Sequence, residues 1–526
     1  MLGNVVSRLL GLVREQVIGA LFGTTVATDV FTVASAAPTM VYDLLVSGAI
    51  SAALIPVFSD YADSPDQARF SRVVSAIMSL AAVALAVVVA VLVLLAPQLV
   101  ELLGGRFDGE AKALTTYLAR LILPSVLFIG TAGVLTAALY AKQNFALPAF
   151  SVAAYNLGIV VGAVLFAGQL GVTALVAGVM LGAVLQLAIQ VPGLRDLSLR
   201  PSLDFSNPGV RAILKLYAPV ALGLVVSNTG VIIDRNLASG TDEGSIAAMR
   251  FATTLVQFPL GLVATATSYA VLPTLSRLAG SESSEPGRSV VATSKGAHAV
   301  EVAAGSRPSH YAATLRMGMK MVLVLIVPAA VGLAVLREPV VQLLFQRGQF
   351  DEPATARTAL AFLGYSPSIA FAAIDQLLVV AFYARKDTRT PVLVGVLAIG
   401  VYLVVALSLV GTYGMMGLVL ANTVQTTSHA LVLLWLLNRV VPDVLSWELA
   451  GFAGRILAAS AVMGAACWLI AVFGGPLATD GPRLAVLVGA AAAAGAVVYA
   501  VGLALLRVEE ARTVWSVLLS RLRPGG

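Results

Sequence analysis

The residues able to do chemistry in this chain sit where charge is least welcome. The first apolar run, about residues 3–22, contains Ser7, Arg8, Gly11, Arg14 and Glu15. Ser7, Gly11 and Arg14 recur at i, i+4, i+7, and Arg8 and Glu15 lie seven apart on the adjoining strip, so one polar sector runs along the helix. The next run repeats the idea, with Asp29, Thr32, Thr39 and Asp43 on one stripe. Further along come Asp234, Arg235, Arg250 and Asp375. An ionisable residue in a membrane span costs about 2.5–3.5 kcal/mol on insertion scales, so it faces a cavity or a partner. Arginines in a closed cavity suit a phosphate or pyrophosphate, whose oxygens guanidinium matches bidentately. The competing use is internal pairing: Arg14 with Asp29 or Asp43, and Arg235 with Asp234 or a neighbouring helix. Arg8 has a third option, snorkelling to the membrane surface.

These residues need helices to hold them, and the composition says of which kind. Of 526 residues 59% are hydrophobic and 11% charged, where soluble domains run near a quarter charged. So little charge cannot cover a chain of this size in water. The apolar runs are long and continuous, which argues against the alternating pattern of a membrane barrel. By the twenty-residue length rule, spans fall at about 3–22, 27–59, 70–97, 111–139, 145–167, 170–193, 209–238, 245–277, 311–337, 354–384, 391–410, 414–438, 448–473 and 482–506. The expected fold is therefore an all-α polytopic membrane protein of about fourteen transmembrane helices. The first run lacks an uninterrupted apolar stretch before a cleavage site, so it reads as a retained helix and not a signal peptide. Residues 508–523 could lie along the membrane surface as an amphipathic tail.

Orientation follows from Lys/Arg asymmetry. With the N-terminus in the cytoplasm, the cytoplasmic segments carry about 21 Lys/Arg, and the opposite loops carry Arg106, Lys112, Arg337 and Arg347. The net charge of +6 thus belongs to membrane topology and not to a nucleic-acid surface.

The chain also repeats itself. Ala138-Leu-Tyr-Ala-Lys-Gln-Asn144 resembles Ala381-Phe-Tyr-Ala-Arg-Lys-Asp387 at an offset of 243, which also superposes Phe107-Asp108 on Phe350-Asp351. Earlier the offset is 217, placing Gly23-Thr24 on Gly240-Thr241 and Pro56-Val-Phe-Ser59 on Pro273-Thr-Leu-Ser276. The difference matches a longer loop in the second copy, Ser281 to Tyr311, read as a flexible cytoplasmic linker. Each copy holds six helices, so the repeat is parallel, as in transporters whose halves rock about a central cavity. The expected division is an N-lobe over 1–200, a C-lobe over 201–440 that includes the 281–311 loop, and a terminal helix pair with its tail over 441–526. Prolines at 38, 56, 219, 259, 273 and 328 interrupt or end spans and could bend during alternating access.

Other chemistries find no support. The one cysteine, Cys467, permits no disulfide within the chain, and the three histidines, His298, His310 and His429, have no metal-ligand spacing. There is no Walker loop, dinucleotide fingerprint or nucleophile elbow. The chain reads as a transporter and not an enzyme, with no cofactor. Without an ATP site its drive would be an ion gradient, the membrane potential or the substrate gradient.

Several stretches resemble a known family. Ser7-Arg-Leu-Leu-Gly-Leu-Val-Arg14, Phe22-Gly23, Ala27-Thr28-Asp29 and Ser47-Gly48-Ala49 are similar to the opening of the MurJ/MviN lipid II flippases. So are Phe258-Pro259-Leu-Gly261, Arg347-Gly-Gln-Phe350 and, most specifically, Ala381-Phe-Tyr-Ala-Arg-Lys-Asp-Thr-Arg-Thr-Pro391. The resemblance implies the multidrug/oligosaccharidyl-lipid/polysaccharide exporter fold, the bacterial cytoplasmic (inner) membrane, and flipping of undecaprenyl-pyrophosphate-linked peptidoglycan precursor to the outer leaflet. Partners would be lipid II, membrane lipids and cell-wall synthesis proteins, with no nucleic acid. By motif, Arg8 and Arg14 would contact pyrophosphate and Asp29 would line the cavity. Ser7, Arg235 and Arg250 complete the candidate substrate site. Where many members carry a basic pair after the helix-two proline, this chain has Tyr42-Asp43. A family arginine in helix eight falls on Thr254, and Arg250, one turn earlier, is placed to substitute. The family's sodium ligands fall on Tyr402 and Ala406, leaving Asp234 and Asn422 as candidate Na+ ligands. Two alternatives stay open: export of another lipid-linked oligosaccharide or of drugs with a coupled cation, and a non-transporting scaffold for cell-wall enzymes.

Overall fold

Inside hydrocarbon a backbone must satisfy its own N–H and C=O groups, which leaves a non-barrel chain only the helix. Every regular element among the described residues is helical. The computed structural model describes residues 2–44, 50–62, 67–204, 207–264, 272, 274–278, 310–477 and 481–508. The linker read at 281–311, apart from His310 and Tyr311, and the tail beyond Val508 lie outside these residues, as do Ser47-Gly48-Ala49 and Pro273.

In chain order the longer helices are α1 (Leu2–Phe22), α2 (Val26–Tyr42), α3 (Ile55–Ala62), α4 (Gln67–Leu94), α5 (Ala96–Gly104), α6 (Gly109–Ile122), α7 (Ser125–Ala141), α8 (Ala146–Leu170), α9 (Thr173–Ala188), α10 (Pro208–Ala238) and α11 (Ser245–Pro259). They continue as α12 (His310–Val335), α13 (Arg337–Phe345), α14 (Glu352–Ala384), α15 (Arg389–Tyr413), α16 (Met415–Val440), α17 (Trp447–Gly474) and α18 (Gly481–Leu505). Among the described residues nine helices are long and apolar enough to cross a membrane, or ten if α6 and α7, bent by 41°, form one broken span. That bend falls at Leu123-Pro124, in the middle of the single span expected at 111–139. The expected spans missing from this set are the first, second, seventh and eighth. Their polar content explains part of the gap: α1 carries Arg8, Arg14 and Glu15 within 21 residues. The second is short, with α2 giving way to a π-helical turn over Ile50–Leu54 before α3. The fourteen-helix count is thus an expectation, while the all-helical, many-span architecture is what the chain shows.

The chain packs as two compact units. The first comprises Met1–Thr254, Leu344–Thr358 and Ala406–Leu418. Its closest helix pair is α8 with α9, and the sequence explains why. Gly158 and Gly162 on α8 meet Gly182 and Gly178 on α9, an antiparallel pairing of two small-xxx-small motifs. A Cβ on Gly158 would stand 2.3 Å from the Gly182 Cα, and one on Gly162 would stand 2.3 Å from the Gly178 Cα. α1 packs along α8 in turn.

The second unit comprises Leu255–Leu343, Ala359–Val405 and Val419–Gly526. α17 packs on α18 and on α12, around a core that includes Tyr311, Leu377, Phe382, Leu433 and Phe452. The Tyr311 hydroxyl donates to the Ala381 carbonyl at 2.6 Å. Cys467 is buried in this packing, its thiol donating to the Ala491 carbonyl at 3.3 Å. Large apolar side chains such as Val404, Phe473, Val486 and Leu505 face outward, as they do where the solvent is lipid. The Arg439 guanidinium stacks 3.8 Å from the Trp435 ring centroid, the pairing of charge and amphipathic ring found at membrane interfaces.

The repeat read from the sequence reappears in the backbone. Gln143 and Lys386, 243 apart, both adopt positive φ, +60° and +61°. Each ends its helix with the same closing bond, Asn144 N–H to the Leu139 carbonyl and Asp387 N–H to the Phe382 carbonyl. Asp108 and Asp351 cap the following helices alike, accepting from Ala111 N–H at 2.7 Å and Ala354 N–H at 2.9 Å.

Candidate functional site

Neighbouring residues on a helix point about 100° apart and do not normally face each other. Arg14 and Glu15 overcome this with the length of arginine, whose side chain curls back on its neighbour. Glu15 Oε1 accepts from Arg14 Nε at 3.0 Å and from Arg14 Nη2 at 2.6 Å. The same carboxylate binds a second arginine from α11. Arg250 Nη2 donates to Oε1 and Arg250 Nε to Oε2, both at 2.9 Å. Glu15 is 1% exposed, so this one buried carboxylate holds two guanidinium groups. A third donor of each arginine is also engaged. Arg14 Nη1 reaches Asn156 Oδ1 on α8 at 2.9 Å, and Arg250 Nη1 reaches the Thr32 hydroxyl on α2 at 3.2 Å. The Arg250 guanidinium also lies 5.5 Å from the centre of the Phe31 ring.

The two arginines open onto a cavity of about 320 Å³ within the first unit. Arg14, Arg235, Arg250, Thr39, Asn228 and Asp43 are among its lining residues. Three guanidinium groups face two carboxylates, Asp43 in the wall and Glu15 behind it, so the site is cationic by one charge. Arg235 Nε is buried with no hydrogen-bond partner among the described residues. Such a cavity can bind a compact polyvalent anion through charge-assisted hydrogen bonds. Tyr42 lies in an adjoining hollow walled by Ser35, Thr39, Asp43 and Tyr155, which border both spaces.

The structure thus brings Arg14, Arg235 and Arg250 to one cavity. Asp29 goes elsewhere: it does not line this cavity and is 4% exposed. Its carboxylate accepts from Gly244 N–H and Ala247 N–H, each at 2.7 Å, and so caps the start of α11. The arrangement is reciprocated, because Glu243 accepts from Val26 N–H at 3.2 Å at the start of α2. Replacing Asp29 with alanine is expected to cost about 2 kcal/mol, the upper range for a lost cap, read as a lower melting temperature in detergent. Ser7 contributes its backbone carbonyl, which accepts from Asn156 Nδ2 at 3.2 Å. Arg8 is exposed on α1. Thr254, where the family arginine would stand, turns its hydroxyl back to the Arg250 carbonyl at 3.0 Å. Asn156 was missed in the sequence, where a lone amide in an apolar helix gives little signal. Asp234 belongs to the first unit and Asn422 to the second. Among the described residues no group of three or more His, Cys, Asp or Glu side chains comes together that could hold a metal ion.

The family model described as "Lipid II flippase MurJ" matches residues 18–479. The chain belongs to the MurJ family. Curated MurJ relatives agree along most of their length. A probable lipid II flippase MurJ of Haemophilus influenzae is 28% identical, over 88% of this chain and 90% of the relative. The lipid II flippase MurJ of Burkholderia cenocepacia is 29% identical, over 82% and 81%. Among solved structures, that of a lipid II flippase MurJ in an inward closed conformation aligns with a TM-score of 0.78 at 20% identity, covering 97% of this chain and 98% of that one. An inward-facing multidrug resistance MATE family transporter of the MOP superfamily aligns at 0.65 and 13% identity, over 85% and 96%. At these identities the structural likeness speaks to the fold alone: a many-helix membrane fold shared by MurJ and MATE proteins.

Proposed function

We propose that this chain flips lipid II, the undecaprenyl-pyrophosphate-linked peptidoglycan precursor, from the cytoplasmic to the outer leaflet by alternating access. The observation that carries the reading is the cationic cavity of Arg14, Arg235 and Arg250 inside an apolar helical body. A pyrophosphate must shed its hydration to cross a membrane, and guanidinium donors replace that shell bidentately. Glu15 keeps two of these arginines oriented before substrate arrives, which lowers the ordering cost of binding. A drug exporter coupled to a cation calls for an apolar, aromatic-lined cavity, and three arginines in the lining make it the weaker reading. The relatives' names support the same substrate. The protein would act in the bacterial cytoplasmic membrane with its N-terminus inside, beside the enzymes of cell-wall synthesis. An ion gradient or the membrane potential would supply the drive.

The test is flipping of labelled lipid II in proteoliposomes. Arg14→Ala removes a charge-assisted contact worth about 2 kcal/mol, so transport at subsaturating substrate should fall roughly thirtyfold. Full activity in this variant would remove Arg14 from the site. Absence of flipping by the intact protein would reject the proposal.

A further inference from the structure

The second unit holds a half-buried histidine–aspartate pair that the cationic cavity does not use. His429 on α16 and Asp375 on α14 both lie in helices apolar enough to span the membrane. Ring Nδ1 is 2.7 Å from Asp375 Oδ1, and the two side chains are 17% and 21% exposed. The opposite ring nitrogen, Nε2, lies 3.5 Å from the Pro391 carbonyl oxygen at the start of α15. Gly395, one turn further along α15, also approaches the ring: a Cβ there would stand 3.8 Å from Nε2. Three helices therefore meet at one imidazole.

The other charged residues of these helices are few. They are Glu352 and Arg357 near the start of α14, Arg389 at the first residue of α15, and Arg439, ten residues beyond His429 on α16. Asp375 is the charged partner of the ring among the described residues. Leu377, Leu378, Val394 and Leu433 on the same helices are apolar and buried, while Gln376 and Ser428, each next to a member of the pair, are polar and partly buried.

Both ring nitrogens thus face acceptors. A neutral imidazole has one N–H and one lone pair. With Nδ1–H directed to the carboxylate, the Nε2 lone pair faces the Pro391 oxygen. With Nε2–H directed to that oxygen, the Nδ1 lone pair faces the carboxylate at 2.7 Å. Only the imidazolium donates to both. Taking up one proton also converts a carboxylate beside a neutral ring, with net charge −1, into a neutral ion pair. In a low-dielectric span that removes an uncompensated charge.

We propose that His429 and Asp375 form a proton-binding site in the second unit, through which a proton gradient drives the transport cycle. Protonation ties α16 to α14 and α15, and deprotonation weakens both ties. The step is a simple exchange: His429 accepts a proton from one side of the membrane as imidazolium and releases it to the other. The coupling half of this inference rests on the flippase reading, whereas the proton-binding half does not.

Two measurements separate those halves. The first is ¹⁵N NMR of histidine-labelled protein in nanodiscs, with His429→Gln assigning the signal against His298 and His310. The wild-type ring should have both nitrogens protonated at pH 7, and Asp375→Asn should return it to a neutral tautomer. A neutral wild-type ring at that pH, or a signal indifferent to Asp375→Asn, overturns the site. The wild-type spectrum alone decides this if a variant fails to fold. The second is lipid II flipping in proteoliposomes with the membrane potential clamped and a pH gradient imposed. One unit of gradient is expected to change the wild-type rate by up to about tenfold. His429→Gln should keep basal flipping and lose the response. A wild-type rate unmoved by the gradient, or an equal response in His429→Gln, overturns the coupling. A protonated His429 in a protein that does not flip lipid II would leave the site standing and reject the flippase reading.

Discussion

Glu15→Gln is expected to cost about 3–5 kcal/mol of stability and to abolish transport, because it removes the one anion between two largely buried arginines. Arg14 and Arg250 retain 27% and 17% of their side-chain exposure, and Glu15 retains 2%. Removing one partner from such a group leaves the others buried and uncompensated, which is where the large penalty arises. Glutamine preserves the shape but presents one N–H₂ group to donors that need acceptors. Glu15→Asp is one methylene shorter and cannot serve Arg14 and Arg250 together, so it should fall between wild type and Glu15→Gln. Adding Arg250→Met to Glu15→Gln should recover part of the lost stability, since one stranded cation is then gone, without recovering flipping. Thermal unfolding in detergent reads the first effect and the vesicle assay the second. A Glu15→Gln protein as stable and active as wild type would show that the carboxylate has neither role.

The second large effect concerns a place with no charge. Gly182→Leu should destabilise the first unit by about 3 kcal/mol or more, the upper range for overpacking. Even a Cβ at this position would stand 2.4 Å from the Tyr155 carbonyl oxygen. Backbone cannot rotate out of the way as a side chain can, so α8 and α9 must separate. Asn156, which holds Arg14, lies on α8 one residue beyond Tyr155, so the displacement reaches the cavity. Gly182→Ala should show a smaller loss in the same direction. Gly168→Ala is the control, because nothing lies within 4 Å of a Cβ there. It should be neutral or stabilising by about 0.5–1 kcal/mol, as expected when alanine replaces glycine within a helix. Melting temperatures of the three variants order the effects. Equal temperatures for Gly182→Ala and Gly168→Ala would mean that the crossing can relax.

What the sequence made legible follows from which forces act locally. The helical, membrane-spanning class rests on runs of apolar residues, a property of each segment alone. The repeat was readable because identical turns demand similar residues, as at Gln143 and Lys386. The arginines announced themselves by their cost in an apolar span. Their partners were harder to find. Arg14 was paired in expectation with Asp29 or Asp43, yet its partner is its neighbour Glu15, which helix periodicity places on a different bearing. Asp29 acts as a cap for a helix 215 residues away, and no local pattern carries such information. The glycine crossing, by contrast, is encoded locally, as two small-xxx-small pairs at 158/162 and 178/182. The bend at Leu123-Pro124 was also marked by its proline. His429 and Asp375 looked like isolated residues because 54 positions separate them.

The long separations between partners matter before the protein is finished. Glu15 meets Arg250, and Asp29 meets the start of α11, only after more than 200 further residues have been made. At about 5–20 residues per second, the ribosome takes roughly 10–40 s to supply them. For that interval Glu15 and Asp29 are carboxylates whose partners at residues 244–250 do not yet exist. The early half of the chain is therefore an unfinished charge arrangement, and its last ties form when the start of α11 arrives. Quality control of this protein during biogenesis has a natural checkpoint at that moment, since a chain that stops short leaves Asp29 without the N–H donors of Gly244 and Ala247 and Glu15 with only Arg14.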